Sequence, residues 1–365
     1  MKKKEILICL GTRPEIIKMA PVIQCLRKRN IKFKIVYSGQ HYDYNLSKIF
    51  IEELGLPPFD LNLSVKEPET YLQLSKMIKN IGEVIRKMRP KIILVQGDTN
   101  TVLAASIAAN RLKIEIGHIE AGLRSFDLRM EEEHNRKIVD HISHYLFVPT
   151  EKALNNLKRE NVQGKIFLTG NTIIDACKAY FPLAKKKSKI MGYIKEKEYI
   201  LVTLHRAENV DNPLTLKTFI YAILRSPYHF VIPLHPRTRK MLEQMNLWRS
   251  IKDSSHIQIF PPLGYFDFLV VLKNSSLVIT DSGGVQEEVT FFKNNPKYVL
   301  IPRISTERTE LIDSGLGELV GTNQDRILSA ITRGLKKKIS PYQNSPFGDG
   351  RAGERIVNIL IKHKL

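Results

Sequence analysis

Cysteine is scarce in this chain: three in 365 residues, at Cys9, Cys25 and Cys177. They are too few and too scattered for a disulfide framework, and no Cys/His set has the spacing of a zinc site. A reducing cytoplasm is therefore the expected compartment. Long apolar runs are also missing; none approaches the ~18 residues of a membrane span. The basic start Met1-Lys2-Lys3-Lys4 resembles the opening of a secretory leader, but the apolar part that follows ends at Gly11-Thr12-Arg13-Pro14. That is too short for a leader and suits a buried strand. Acidic residues are in deficit: 37 Asp and Glu against 57 Lys and Arg leave a net charge of +20. Such an excess calls for an anionic partner, whether nucleic acid, a membrane surface or a phosphorylated small molecule. No RNA- or DNA-binding motif accompanies it. The lysine clusters Lys2–Lys4, Lys185–Lys187 and Lys336–Lys338 lie at a terminus, a linker and a helix end, where solvated faces explain them. Neither nucleic acid nor a membrane is expected as a partner.

What is present is an ordinary globular composition, 43% hydrophobic and 26% charged, with length for two domains. Short β-rich runs alternate with helical stretches. Strands are expected at Lys4–Leu10, Lys32–Tyr37, Lys91–Gln96, Ile114–His118 and Tyr145–Val148, with helices at Pro14–Asn30, Glu69–Met88, Thr99–Leu112 and Glu132–His141. This alternation predicts βαβ units and a parallel sheet. A basic break at Ala184–Lys189 separates a second series of strands at Tyr199–Leu204, His229–Leu234, Ile257–Phe260, Leu277–Thr280, Lys297–Ile301 and Leu319–Val320. The expected architecture is α/β, with two Rossmann-like domains at 1–172 and 173–349, a linker near 170–195, and a final helix at about 350–365 packing back on the first domain.

In open parallel sheets, ligands bind beyond the carboxyl ends of the strands. Titratable groups and glycines gather at just those places. Gly11–Lys18 puts Pro14 at a helix N1 position, with Arg13 and Lys18 available to a phosphate; a plain βα turn is the alternative. Asp98 follows a buried strand and opens a helix, either as an acid/base group or as an N-cap. Glu120 and the Glu131-Glu132-Glu133 run add carboxylates. Clustered in a closed cleft these would work as acids or bases near neutrality; the run could equally be a solvated helix start. His205 ends the first strand of the second domain; His41, His118 and His235 are similarly placed. Asp281-Ser282-Gly283-Gly284, followed by Glu287 and Glu288, suits a nucleotide: small residues let backbone N–H groups approach an anion, and a carboxylate can accept ribose hydroxyls. The basic loops make a metal unnecessary, and none is expected.

Taken in order, several motifs resemble the non-hydrolysing UDP-N-acetylglucosamine 2-epimerases, from about residue 6 to 360. They are Gly11-Thr12-Arg13-Pro14-Glu15, Gly39-Gln40-His41, Gly97-Asp98-Thr99, Gly117-His118-Ile119-Glu120-Ala121-Gly122-Leu123-Arg124, Glu132-Glu133-His134-Asn135-Arg136, Thr169-Gly170-Asn171-Thr172, His205-Arg206-Ala207-Glu208-Asn209, Asp281–Glu288 and Thr306-Glu307-Arg308. The resemblance implies a GT-B-like pair of domains facing across a cleft, a homodimer, and interconversion of UDP-N-acetylglucosamine and UDP-N-acetylmannosamine without NAD or metal. It implies elimination of UDP to a 2-acetamidoglucal and re-addition, with Asp98, Glu120, Glu132 and His205 as catalytic residues. Glu133 remains an alternative to Glu132. Arg13, Lys18, Phe268, Ser282, Gly283, Gly284, Glu288 and Arg308 match UDP-binding positions. Gln40 and His235 match positions at which bacterial members hold a second UDP-N-acetylglucosamine as activator, although His235-Pro236-Arg237 stands where many members have His-x-Asn-Pro. A GT-B glycosyltransferase and a hydrolysing 2-epimerase are the rival enzymes.

Overall fold

The computed structural model describes residues 5–39 and 44–364; Gln40 and His41 lie outside the described residues. The chain forms two compact units, Met1–Ala179 with Phe347–Leu365, and Tyr180–Pro346. Among the described residues the first unit holds a seven-stranded sheet. Its strands are β1 (Ile6–Leu10), β2 (Phe33–Tyr37), β3 (Leu61–Asn62), β4 (Ile92–Gln96), β5 (Glu115–Ile119), β6 (Tyr145–Val148) and β7 (Lys165–Leu168). They pair in parallel in the order β3-β2-β1-β4-β5-β6-β7. Every residue of β1 and β4 is buried, as helices on both faces require. The helix Thr70–Met88 supplies one such cover. Gln73, Met77, Ile81 and Ile85 recur every fourth residue and form its buried stripe, and its three apolar members share a core with Leu7, Ile93 and Val95.

The second unit holds, among the described residues, a six-stranded sheet. Its strands are β8 (Ile200–Thr203), β9 (Phe230–Pro233), β10 (Ile257–Phe260), β11 (Leu277–Thr280), β12 (Val299–Ile301) and β13 (Gly317–Leu319). All pair in parallel, in the order β10-β9-β8-β11-β12-β13. Both sheets are doubly wound. Their strand order reverses between β1 and β4 and between β8 and β11, which is where such sheets open a ligand crevice.

The helix Ala352–Lys362 belongs to the first unit and packs on the helix Arg13–Lys28. A Cβ at Gly353 would come within 3.1 Å of the Pro21 carbonyl carbon, so glycine permits the approach. Asp175 satisfies the start of this last helix by accepting from the N–H groups of Ala352 (3.1 Å) and Gly353 (2.8 Å).

The break expected at Ala184–Lys189 is largely helical: the helix Thr172–Lys187 runs through it, and the boundary between the units falls inside that helix. Lysine is a good helix former, and Lys185–Lys187 in the last turn favour the negative end of the helix dipole. The helices Tyr44–Glu53 and Glu151–Arg159 and the strands β3 and β7 carry no clear sequence signal. Strand β7 is an edge strand with no fully buried residue, and Glu151–Arg159 buries only Ala153 and Leu157.

Candidate active site

In the first unit the functional loops follow β1, β4 and β5. After β1, Thr12 is the N-cap of the helix Arg13–Lys28. Its hydroxyl donates to Glu15 Oε1 at 2.9 Å, and the Gly11 N–H donates to Glu15 Oε2 at 2.8 Å. Burial pushes the Glu15 carboxyl up to about 7. Hydrogen bonds from Thr99, Gly11 and Thr12 pull it back, while nearby Asp98 raises it further. One turn later the ammonium of Lys18 is buried and donates to Glu120 Oε2 at 2.5 Å. The same oxygen accepts from Gln96 at 3.0 Å and Asn171 at 3.4 Å. Glu120 is itself held at φ +71, a left-handed conformation that costs a non-glycine residue about 1–2 kcal/mol. Its N–H and that of Ala121 both donate to the Phe147 carbonyl, which holds the turn. Arg13 is half-buried over the Phe50 ring, 5.6 Å from its centroid.

Asp98 is not a helix cap. Thr99 takes that role and accepts from Val102 N. The Asp98 carboxylate instead accepts two hydrogen bonds from Arg136, at 2.6 and 2.9 Å. A third nitrogen of Arg136 donates to Glu133 at 2.6 Å. Glu133 is fully buried and accepts further from Ser125 N, Ser125 Oγ and Phe126 N at 3.0–3.1 Å. The glutamate run therefore divides by helical phase. Glu133, Arg136 and Asp140 share the buried face of the helix Glu131–Ile142, whereas Glu132 is half-buried. The carboxylate of Glu133 is committed to holding the loop at Ser125 and Phe126.

In the second unit the crevice lies beyond β8 and β11. Asp281 is fully buried and accepts from the N–H groups of His205 and Arg206 at 3.0–3.1 Å, and from the Asn209 amide at 3.1 Å. His205 Nδ1 stands 3.2 Å from Asp281 Oδ1. Burial alone would raise the Asp281 carboxyl, but His205, Asn209 and the Arg206 N–H outweigh it and hold it below its ordinary value. The His205 side chain stays partly exposed with its Nδ1 edge tied to Asp281, the arrangement that orients an imidazole for acid/base work. The His235 ring lies 5.8 Å from that of His205, and His235 Nδ1 caps its own helix by accepting from Arg237 N.

Ser282, Gly283 and Gly284 open the short helix Gly283–Glu288. A Cβ at Gly283 would sit 2.8 Å from the Arg308 guanidinium carbon, so the glycine makes room for that side chain. Arg308 is buried and pairs with Glu287 at 2.8 Å and Glu307 at 2.6 Å. Glu307 also meets Arg303 and Arg206. Glu288 is buried on the same short helix, and Phe268 is half-buried in the first turn of the helix Tyr265–Asn274.

The structure thus joins Lys18 to Glu120 within the first unit. It groups His205, His235, Ser282, Gly283, Glu288 and Arg308 around the β8 and β11 ends of the second. Glu15, Arg136 and Asp281 stand inside the sequence motifs, but their ordering roles come from the structure. For Glu15 a signal existed, since Thr12-x-x-Glu15 has the spacing of a capping box. Among the described residues no group of three or more His, Cys, Asp or Glu side chains is arranged to hold a metal, and no helix is long and apolar enough to cross a membrane.

A profile of the family described as UDP-N-acetylglucosamine 2-epimerase matches residues 24–361. The chain belongs to this family. A UDP-N-acetylglucosamine 2-epimerase of Methanocaldococcus jannaschii is 45% identical over 98% of this chain and 99% of its own length. The crystal structure of Methanocaldococcus jannaschii UDP-GlcNAc 2-epimerase in complex with UDP-GlcNAc and UDP matches with a TM-score of 0.93, at 44% identity and with 98% and 99% of the two chains covered. A UDP-2,3-diacetamido-2,3-dideoxy-D-glucuronate 2-epimerase of Pseudomonas aeruginosa is 38% identical over 98% of this chain and 99% of its own. The 2-epimerase family is one of isomerases, and its members share the GT-B-like α/β class to which these two sheets belong.

Proposed function

We propose that this 2-epimerase interconverts UDP-N-acetylglucosamine and UDP-N-acetylmannosamine. A base takes the C2 proton, the C1–O bond breaks anti to it, and UDP leaves a 2-acetamidoglucal with a C1–C2 double bond. A proton then returns to the opposite face of C2 as UDP re-adds at C1. The observation that carries this reading is that each sheet places its own kind of chemistry at its switch point. Carboxylates of the first unit, Asp98, Glu120 and Glu132, suit the C2 proton transfers. Removing so weakly acidic a proton needs a carboxylate held in a fixed position, and Glu120 is fixed by Lys18, Gln96 and Asn171. The second unit suits the leaving group. His205, oriented by Asp281, assists the departing diphosphate, and Arg308, packed against Gly283, supplies a cation at the start of the helix Gly283–Glu288. Ser282, Gly284, Glu288 and Phe268 complete the UDP contacts, and Arg13 and Lys18 add positive charge at the sugar diphosphate. The reaction needs neither NAD nor a metal.

The same reading carries a cytoplasmic homodimer and a second UDP-N-acetylglucosamine acting as activator through Gln40 and His235. The Pseudomonas relative favours a second reading, in which the sugar is a diacetamido uronic acid. Proton NMR in deuterated water separates the two. The expected result is conversion of UDP-N-acetylglucosamine alone into its manno epimer, with one deuterium at C2. Turnover only of the diacetamidoglucuronate would transfer the reading to that substrate. Release of free N-acetylmannosamine would point to a hydrolysing enzyme, and no reaction without a sugar acceptor to a transferase.

A further inference from the structure

His118 lies on β5, fully buried, two residues before Glu120. Its ring bridges two oxygens: Nε2 stands 2.8 Å from the Gly97 carbonyl and Nδ1 2.7 Å from Asp140 Oδ1. The ring thus holds one oxygen at each of its two nitrogen edges. The second oxygen of Asp140 accepts from the Gly122 N–H at 3.1 Å and faces Arg124 at 2.7 Å. Arg124 in turn grips both oxygens of Glu160, at 2.6 and 2.8 Å. One buried ring therefore ties the residue before Asp98, the turn after Glu120, and the helix Glu131–Ile142.

Three residues in these turns hold left-handed backbone: Gly97 at φ +85, Glu120 at φ +71 and Gly122 at φ +81. Conformations of this kind persist where surrounding contacts over-determine them. The backbone of β4 and β5 is in register up to this point, with Gln96 opposite Ile119 and Gly97 N donating to the Ile119 carbonyl. Beyond it the ladder ends, and the side-chain bridge takes over.

We infer that His118 is a positioning residue that sets where Asp98 stands relative to Glu120, through the Gly97 carbonyl on one side and the Asp140–Gly122 link on the other. The inference rests on the reading that these two carboxylates serve the C2 proton transfers. It does not place His118 against the sugar.

The test compares His118→Phe, His118→Gln and His118→Asn, with Asp98→Asn and Glu120→Gln in parallel. Each is assayed for kcat and KM on UDP-N-acetylglucosamine, UDP affinity and Tm. Phe keeps the ring shape and removes both links. A misplacement on the order of 1 Å costs roughly 100-fold in rate, so kcat is expected to fall about 10–100-fold, with KM and UDP affinity changed less than about 3-fold. Gln reaches towards the Gly97 carbonyl and Asn towards Asp140; Gln is expected to recover more kcat than Asn, because it restores the link nearest Asp98. Wild-type kcat in folded His118→Phe, with only Tm lowered, would reduce the ring to core packing and overturn the inference. If His118→Phe does not fold, equal kcat in the Gln and Asn variants overturns it instead. Wild-type turnover in both Asp98→Asn and Glu120→Gln overturns the catalytic reading itself, a failure distinct from that of His118.

Discussion

Exchanging the carboxylates of Glu132 and Glu133 for amides, one at a time, should separate two adjacent residues into opposite phenotypes. Glu133 accepts four hydrogen bonds in a fully buried position: Ser125 N and Oγ and Arg136 on Oε2, and Phe126 N on Oε1. Glutamine offers one acceptor oxygen, so at least one backbone N–H loses its partner. An orphaned buried donor costs about 1–3 kcal/mol. Removing one partner of a buried ion pair costs about 3–5 kcal/mol, but here Arg136 keeps Asp98, which moves the loss to the lower end. Phe126 sits at φ +58 and relies on this clamp. Glu133→Gln is therefore expected to lose about 3 kcal/mol, and its amides at Ser125 and Phe126 to exchange faster. Glu132→Gln, at a half-buried site, should lose less than about 1 kcal/mol while its turnover falls about 100- to 10,000-fold. Urea denaturation with amide exchange, beside the NMR turnover assay, reads both. If Glu133→Gln were as stable as the parent and Glu132→Gln melted early, the division of the run by helical phase would be wrong.

Three further outcomes follow from the same geometry. Asp281→Asn removes the charge and one of the two acceptor oxygens that order His205, Arg206 and Asn209. Turnover should fall at least about 100-fold, and the acid sensitivity that a lowered carboxyl confers, stability present above its unfolded value and lost as pH falls through the folded one, should diminish; wild-type turnover would refute the orienting role. Gly283→Ala places a methyl against the Arg308 guanidinium, which Glu287 and Glu307 hold in place. UDP affinity measured calorimetrically should drop about 10-fold, ~1.4 kcal/mol, and an unchanged affinity would remove Arg308 from the UDP contacts. Glu15 is raised from 4.5 to about 7, so it contributes stability that is complete below pH 4.5 and is lost as pH rises through about 7. The swing is at most about 3 kcal/mol. Urea midpoints of Glu15→Gln should vary less between pH 5 and pH 8 than those of the parent; an identical pH dependence would contradict the assignment.

The sheet architecture is legible because strands buried on both faces read as unbroken apolar runs. Tyr145–Val148 and Leu277–Thr280, buried at every residue, stand in the structure at the bounds that their sequence predicts. Edge strands such as β7 and polar helices such as Glu151–Arg159 bury too little to leave that mark. The lysines at 185–187 look like a break in composition yet continue a helix, because local propensity and the end of the dipole outweigh their charge.

By itself, the order of residues determined which groups reach the ends of strands β1, β4, β5, β8 and β11, since a strand's end is a local property of its apolar run. It also determined the motif set by which the family is recognised. Tertiary structure decided what each group does there. Arg136 finds Asp98 across 38 positions, Lys18 finds Glu120 across 102, and Asp281 finds His205 across 76. Charges acquire partners through contacts of this range, which no local pattern encodes. Those contacts are why one glutamate of a run is buried as an anchor while its neighbour remains half-exposed.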